Sequence, residues 1–260
     1  MDYQTIAVSA ADGVARVTLA RPDVRNAFNA AVIAELSAAF GALDGRADVR
    51  AIVLAGQGSV FCGGADINWM RASLELTREQ NVADARAMSR MFRAIDRCSK
   101  PVIGRIQGAA LGGGAGLAAV CDIVVSADDA IFGFTETKLG IIPAVISPFV
   151  LAKIGTSAAR ALFLTGERFD ARRAREIGLV HHVVAAAELD AAVDRVAGEL
   201  RSAAPTAVAA AKRLIVDVGN ASYDESLDLT ADAIATQRTS PEGQEGLRAF
   251  LERRPASWTK

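Results

Sequence analysis

Two glycine-rich loops are the first candidates for chemistry in this sequence. They are GSVFCGGADINWM at residues 58–70 and GAALGGGAGLAAVCD at residues 108–122, each after an apolar run and before a predicted helix. Such a turn exposes backbone N–H groups at a helix N-terminus, which suits them to an anion or a developing oxyanion. Tight packing of small residues would explain either loop alone. Two loops of one design instead predict a site where each directs one N–H group at a single oxygen.

Glu136 is the third candidate, because it lies in the largely apolar segment IFGFTETKLGIIPAVISP at residues 131–148. A carboxyl group in an apolar pocket has a raised pKa and can exchange protons near neutral pH. A solvated loop glutamate beside Lys138 is the alternative, and the local sequence leaves both interpretations open.

Other catalytic motifs find less support. The sequence contains neither a G-x-S-x-G elbow nor a G-x-x-x-x-G-K-[ST] phosphate loop. The two histidines, His181 and His182, are adjacent in an apolar run, so we expect a structural pair with one side chain inward and one outward. Three scattered cysteines, Cys62, Cys98 and Cys121, fit neither a disulfide framework nor a zinc site. We therefore expect no metal and a reducing, cytoplasmic location.

Alternating strands and helices must position the two loops. Asp12-Gly13 between apolar runs predicts a hairpin, and Asn29 before residues at helical spacing predicts a helix N-cap. Strands are predicted at 51–56, 101–108 and 122–127, and helices at 82–95 and 113–120. This alternation is typical of an α/β fold with a parallel sheet. After about residue 185 only helices are predicted. We expect the first of them to belong to a core of residues 1–200 and the rest to form a helical region of residues 201–260.

Composition excludes several classes of protein. The 260 residues carry 29 basic and 30 acidic side chains, a net charge of −1, which argues against a nucleic-acid-binding protein. No uncharged apolar window reaches the ~18 residues that a transmembrane helix needs. The N-terminus has no basic segment followed by an apolar one, so we read no signal peptide and expect no membrane partner.

Six segments give the sequence a resemblance that covers residues 14–254. They are RPDVRNAF, VFCGGADI, GAALGGGAGLAAVCDIVV, FGFTETKLGIIP, LTGERFDARRAREIGLV and EGLRAFLERR. In this order and spacing they resemble the enoyl-CoA hydratase/isomerase, or crotonase, superfamily. The resemblance implies an α/β spiral of ββα units with two near-perpendicular sheets. It also implies a C-terminal helical trimerisation region, which would make the protein a homotrimer or homohexamer.

The resemblance also implies the site. The substrate would be an acyl-coenzyme A thioester, with no further cofactor. The N–H groups of Ala65 and Gly113 would polarise the thioester carbonyl, and Glu136 would be the catalytic carboxylate. The remaining substrate contacts would come from the chain near the first loop, from the second loop and from an adjacent subunit: Arg25, Ala27, Asp66, Ile67, Asn68, Gly116, Phe250 and Arg253.

One departure from the family pattern concerns the acid–base groups. Hydratases of the family carry two catalytic glutamates, and the second maps onto Gly116, where this chain has GGGAGL. We expect Gly116 to lie across the pocket from Glu136. Glu136 would then perform both proton transfers, unless a second acid comes from elsewhere. Isomerases of the family work with one glutamate, so double-bond isomerisation remains an alternative.

A second departure is PAVISPFV at residues 143–150. With ADINWM and ERFDARRA, it resembles a bacterial methylglutaconyl-CoA hydratase-like subgroup, which implies a branched or glutaconyl-type acyl group and branched-chain or fatty acid catabolism. The leading hypothesis is a lyase that adds water reversibly to the 2,3 double bond of an enoyl-CoA. The alternatives are an isomerase, other chemistry through the same enolate, and an acyl-CoA-binding protein without turnover.

Overall fold

The computed structural model describes residues 2–259 and confirms the predicted α/β class. The strands within that range are β1 (Ile6–Ala11), β2 (Val14–Leu19), β3 (Ala51–Gly56), β4 (Val102–Ile106), β5 (Ala109–Leu111), β6 (Ile123–Ala127), β7 (Ile131–Gly133), β8 (Arg168–Asp170) and β9 (His182–Val184). The helices are α1 (Ala30–Asp44), α2 (Ile67–Ser73), α3 (Arg78–Asp96), α4 (Gly113–Val120), α5 (Ser147–Thr165), α6 (Ala171–Glu176), α7 (Leu189–Ser202), α8 (Pro205–Asn220), α9 (Tyr223–Thr239) and α10 (Pro241–Leu251).

The N-terminal hairpin and the first helix form as their sequence predicts. Strands β1 and β2 are antiparallel, with Ala11 opposite Val14 across the Asp12-Gly13 turn. The Oδ1 atom of Asn29 accepts a hydrogen bond of 2.9 Å from the N–H of Val32. This bond satisfies one of the N–H groups that the first turn of α1 leaves without an intrahelical acceptor.

A six-stranded sheet is the centre of the molecule, in the order β1-β2-β3-β4-β6-β9. All its pairs after the hairpin are parallel. Because successive side chains of a strand alternate in direction, β3 supplies two cores. Ile52 and Leu54 join the main core with α1, α3 and α4, whereas Val53 packs with α7 through Leu189 and Val193.

A second, three-stranded sheet has the order β5-β7-β8. Each strand has only three residues, too few to show a pattern, and sequence analysis did not predict any of them. The strand predicted to continue to residue 108 ends at Ile106. Gly108 has a positive φ of 64°, and a Cβ there would overlap the backbone of Ser59, so glycine permits this turn toward the second sheet.

The C-terminal helices differ from the rest of the chain in burial. Helix α7 packs on the large sheet, while α8, α9 and α10 pack chiefly on one another. No residue of α8 or α9 is buried. Lys212 of α8 connects them to the core through an ion pair of 2.7 Å with Asp122. Within residues 2–259, no helix has both the length and the apolar content that crossing a membrane requires.

Candidate active site

Three loops begin side by side at one end of the small sheet, where two of its strands and an adjoining segment run parallel. Cys62 pairs in parallel with Ala110 of β5, and Leu111 of β5 pairs in parallel with Gly133 of β7. The backbone N–H of Cys62 donates to the carbonyl of Ala109 (3.0 Å), and the carbonyl of Cys62 accepts from the N–H of Leu111 (3.1 Å). Parallel chains advance together, so the segments that follow these strands arrive side by side. Those segments carry Ala65, Gly113 and Glu136, the three predicted catalytic positions.

Ala65 presents a backbone N–H group that has no acceptor in the described part of the chain. The residues on either side of it are held by Phe28: the N–H of Phe28 donates to the carbonyl of Gly64, and the N–H of Asp66 donates to the carbonyl of Phe28, both at 2.8 Å. This parallel bridge uses the groups that flank Ala65 and leaves its own N–H on the opposite side. Among residues 2–259, that N–H donates to no other group.

Gly113 is the first residue of α4, so its N–H group has no acceptor within the helix. The preceding N–H, of Gly112, donates to the carbonyl of Gly133 at 2.8 Å and fixes the turn. A Cβ on Gly113 would lie 2.7 Å from Cε2 of Phe28. Only glycine fits at this distance, and the sequence places one there.

Glu136 lies next to this turn, since a Cβ on Gly112 would be 3.3 Å from its Oε1 atom. The Oε2 atom is buried and has no hydrogen-bond partner in the described part of the chain. Burial raises the pKa of this carboxyl above its ordinary value. Lys138 is exposed and forms no ion pair with it in residues 2–259. Of the two settings considered for Glu136, the structure has the buried one.

Gly116 does not face open space, contrary to our expectation that it would lie across the pocket. It is buried in α4, where a Cβ would overlap Cγ2 of Ile146 and lie 3.2 Å from Cε1 of Phe92. Ile146, which is 3% exposed, precedes α5 and fills this volume. Sequence analysis missed Ile146 because contact between residues 30 positions apart leaves no local signal.

The predicted substrate-binding residues fall into two groups. Arg25 adjoins the first loop, because its carbonyl accepts from the N–H of Gly63 at 2.8 Å, and buried Ala27 follows in the same segment. Asp66, Ile67 and Asn68 directly follow Ala65 at the start of α2.

Phe250 and Arg253 form the second group and lie at the end of α10. Phe250 is 81% exposed, and α10 packs against α9 and α8. Within residues 2–259, no hydrogen bond or ion pair joins these two residues to the three loops.

The histidines and cysteines have structural settings. The Nδ1 atom of His181 accepts from the N–H of Val124 at 2.9 Å, and burial lowers the pKa of His181 to about 4. Both histidines retain exposed surface, and the ring of His181 is directed at the backbone of β6. Burial raises the pKa of Cys62 to about 12, of Cys98 to about 11 and of Cys121 to about 12, which disfavours the nucleophilic thiolate. No group of three potential metal ligands occurs among the described residues.

Comparison with known proteins assigns the chain to a family. The family model for enoyl-CoA hydratase/isomerase matches residues 9–260. The chain belongs to the enoyl-CoA hydratase/isomerase family. This membership confirms the crotonase resemblance, and the protein is accordingly an enzyme of that family.

Relatives of known name and structure agree over nearly the whole chain. The enoyl-CoA hydratase ACTT6 of Alternaria alternata is 37% identical over 213 residues, which cover 82% of this chain and 70% of the relative. The crystal structure of an enoyl-CoA hydratase from Shewanella pealeana has a TM-score of 0.95 and 38% identity, covering 98% of this chain and 96% of that one. Pseudomonas aeruginosa AtuE also has a TM-score of 0.95 and 38% identity, covering 99% and 100%. These matches confirm the crotonase fold.

Proposed function

We propose that this protein reversibly adds water to the 2,3 double bond of an enoyl-CoA thioester. The observation that carries the proposal is the placement of Glu136 next to the turn before Gly113, in three aligned segments whose Ala65 and Gly113 N–H groups have no acceptor among residues 2–259. The two N–H groups bind the thioester carbonyl oxygen and stabilise the negative charge that it acquires in the transition state. The raised pKa of Glu136 suits a group that takes up and returns a proton near neutral pH.

In the proposed reaction, Glu136 acts as both base and acid. Its carboxylate removes a proton from water as the water oxygen bonds to C3, and the π electrons move toward C2 and the thioester carbonyl. The same carboxyl group then delivers its proton to C2, so the enzyme is regenerated and the product has gained one water. The packing of Ile146 against Gly116 supports one acid–base group, because it leaves no space for a side chain at residue 116.

Double-bond isomerisation is the second candidate, and the same observation favours it. A single carboxylate can remove a proton from one carbon of the acyl chain to form an enolate and return it to another carbon, so the mass of the substrate does not change. The two reactions differ in product: a 3-hydroxyacyl-CoA identifies hydration, and an isomer of unchanged mass identifies double-bond migration.

The proposal extends to the substrate. The CoA portion binds along the backbone of Arg25 to Ala27 and the backbone of Asp66, Ile67 and Asn68, and no cofactor besides this CoA is used. The acyl group is of a branched or glutaconyl type, as the resemblance of residues 143–150 to the methylglutaconyl-CoA hydratase-like subgroup implies. Such substrates arise in branched-chain catabolism.

We also propose that residues 201–260 form an oligomerisation region in a homotrimer or homohexamer. Large apolar side chains of α8, α9 and α10 are exposed in the single chain, Ile215 by 75%, Leu227 by 54% and Phe250 by 81%. Faces of this kind associate with other protein surfaces. In such an assembly Phe250 and Arg253 contact the CoA portion bound to an adjacent subunit.

The deciding experiment is a product assay. The purified protein is incubated with straight-chain, branched and carboxylated enoyl-CoA esters, and the products are identified by mass and by chromatography against standards. We expect a 3-hydroxyacyl-CoA, formed fastest from the branched carboxylated ester. Exclusive formation of shifted double-bond isomers would replace hydration by isomerisation, and the absence of any product from all three classes would contradict both.

A further inference from the structure

Phe28 contacts both of the proposed oxyanion donors. Its backbone holds the peptide groups on either side of Ala65 through two hydrogen bonds of 2.8 Å. Its ring is fully buried and lies against Gly113, where an added Cβ would be 2.7 Å from Cε2. The position of Phe28 therefore affects how far apart the two N–H groups stand.

An ion pair holds the Phe28 segment to the first loop. Arg21 donates through Nη2 to Oδ2 of Asp66 at 2.8 Å and through Nη1 to the carbonyl of Ala27 at 2.7 Å. The other oxygen of Asp66, Oδ1, accepts from the N–H of Asn68 at 2.8 Å and caps α2. The side chains of Arg21 and Asp66 are only 21% and 6% exposed, so solvent screens this pair less than an exposed one.

The pair lies one residue from each half of the bridge that fixes Ala65. Ala27 immediately precedes Phe28, and Asp66 immediately follows Ala65. Arg21 thus joins the two chains of the bridge from outside, using charge-assisted hydrogen bonds that are stronger than neutral ones. Without it, the two backbone bonds to Phe28 alone would set the direction of the Ala65 N–H.

We propose that Arg21 and Asp66 are positioning residues, which hold the N–H of Ala65 at the distance from Gly113 that polarises the thioester carbonyl. This inference rests on the proposed function, since it takes these two N–H groups as the carbonyl donors. Donors in such sites must be held to within about 0.5 Å. A misplacement of about 1 Å can lower the rate by about 100-fold.

The test measures carbonyl polarisation without turnover. Butyryl-CoA has no double bond to hydrate, and the infrared stretching band of its bound, ¹³C-labelled thioester carbonyl shifts to lower frequency when two N–H groups bind the oxygen. We compare Asp66→Asn, which retains an oxygen for the α2 cap, with two variants of Arg21. Arg21→Met removes the positive charge, and Arg21→Lys retains it. In parallel, kcat and KM are measured with crotonyl-CoA.

We expect Asp66→Asn and Arg21→Met to reduce the carbonyl shift and to lower kcat by about 10- to 100-fold, with KM within about threefold. Arg21→Lys should recover part of both effects. Asp194→Asn is the matched control, because it breaks the ion pair of 2.7 Å between Arg16 of β2 and Asp194 of α7, and within residues 2–259 neither side chain is hydrogen-bonded to the three loops. It should leave the shift and kcat unchanged.

Two results would overturn the inference in distinguishable ways. If the wild-type shift persists in Asp66→Asn and its kcat stays within twofold, the pair does not position the donor, and the proposed function stands. If wild-type protein binds butyryl-CoA without any shift, the donors themselves are wrong, and this inference falls with the proposed function. A raised KM at unchanged kcat would assign the pair to CoA binding and would also overturn it.

Discussion

The proposed catalytic loops and the C-terminal helices contrast in how completely the chain itself packs them. Around the loops, Phe28, Gly113 and Gly116 are in close contact with their neighbours. In α8 and α9, by contrast, no residue is buried, although both helices carry large apolar side chains. One region thus has its geometry fixed within a single chain, and the other exposes apolar surface that we propose an adjacent subunit covers. The predictions below test each side of this contrast.

The largest effect is expected from Glu136→Gln, which keeps the size of the side chain and removes its acid–base function. General acid–base groups contribute about 10²–10⁴-fold to the rate. Because Glu136 serves both proton transfers, kcat should fall by about 10⁴-fold, with butyryl-CoA binding within a few-fold. Glu188→Gln, at an exposed glutamate, is the control. Hydration at the wild-type rate by Glu136→Gln would eliminate the proposed mechanism.

The second effect concerns the donor at Gly113. Proline is compatible with the first position of a helix but has no N–H group, and its ring must also displace Phe28. Loss of one such donor lowers kcat by about 10²–10³-fold, and we expect at least this loss for Gly113→Pro in steady-state assays with crotonyl-CoA, because displacement of Phe28 also disturbs Ala65. Gly41→Ala, where a Cβ has no neighbour within 4 Å, controls for substitution of a helical glycine. Folded Gly113→Pro with wild-type kcat would contradict the assignment.

The third prediction is the pH dependence that follows from burial of Glu136. The base form is the carboxylate, so kcat/KM should fall about tenfold per pH unit below the pKa of Glu136. Because burial raises that pKa above 4.5, the decline should begin at a higher pH than for a solvated glutamate.

The raised pKa of Glu136 affects stability in the opposite direction to the rate, because stability decreases as the pH rises. A raised pKa in the folded state favours the neutral carboxyl, so its stabilising contribution is present below pH 4.5 and is lost as the pH rises through the folded-state pKa. Thermal unfolding should therefore show Glu136→Gln gaining stability relative to wild type toward pH 8. A wild-type rate profile without an acidic limb above pH 4.5 would contradict both expectations.

The fourth prediction concerns the exposed helices. Replacing Leu227 and Ile234 by glutamate places charges on an apolar face of α9, where they are 54% and 49% exposed. We expect the mass from light scattering to fall from that of a trimer or hexamer to that of a monomer. The control is Asp228→Asn on the same helix, which should leave the mass unchanged. A monomeric wild-type protein at micromolar concentration would contradict the proposed assembly.

The same contrast explains what the sequence can predict. The hairpin at Asp12-Gly13, the cap at Asn29 and the fully buried strand at 51–56 have local signals, and all three are confirmed. The three-residue strands of the small sheet have no such signal, although they align the three loops. Family resemblance supplied Ala65 and Gly113, but the contact of Ile146 with Gly116 and the pair of Arg21 with Asp66 depend on tertiary structure. No local pattern contains that information.

The smallest effect tests the packing of α4 against Ile146. Gly116→Ala should destabilise the protein by up to about 2 kcal/mol, because overpacking against Ile146 costs about 1–3 kcal/mol and the higher helix propensity of alanine offsets about 1 kcal/mol. In an Ile146→Ala background the methyl group enters vacated space, so the same substitution should become neutral or stabilising. Chemical denaturation of the four proteins gives this interaction energy directly. If Gly116→Ala has equal effects in both backgrounds, Ile146 does not fill the space beside Gly116. The packing of Ile146 would then no longer support the proposal of a single acid–base group.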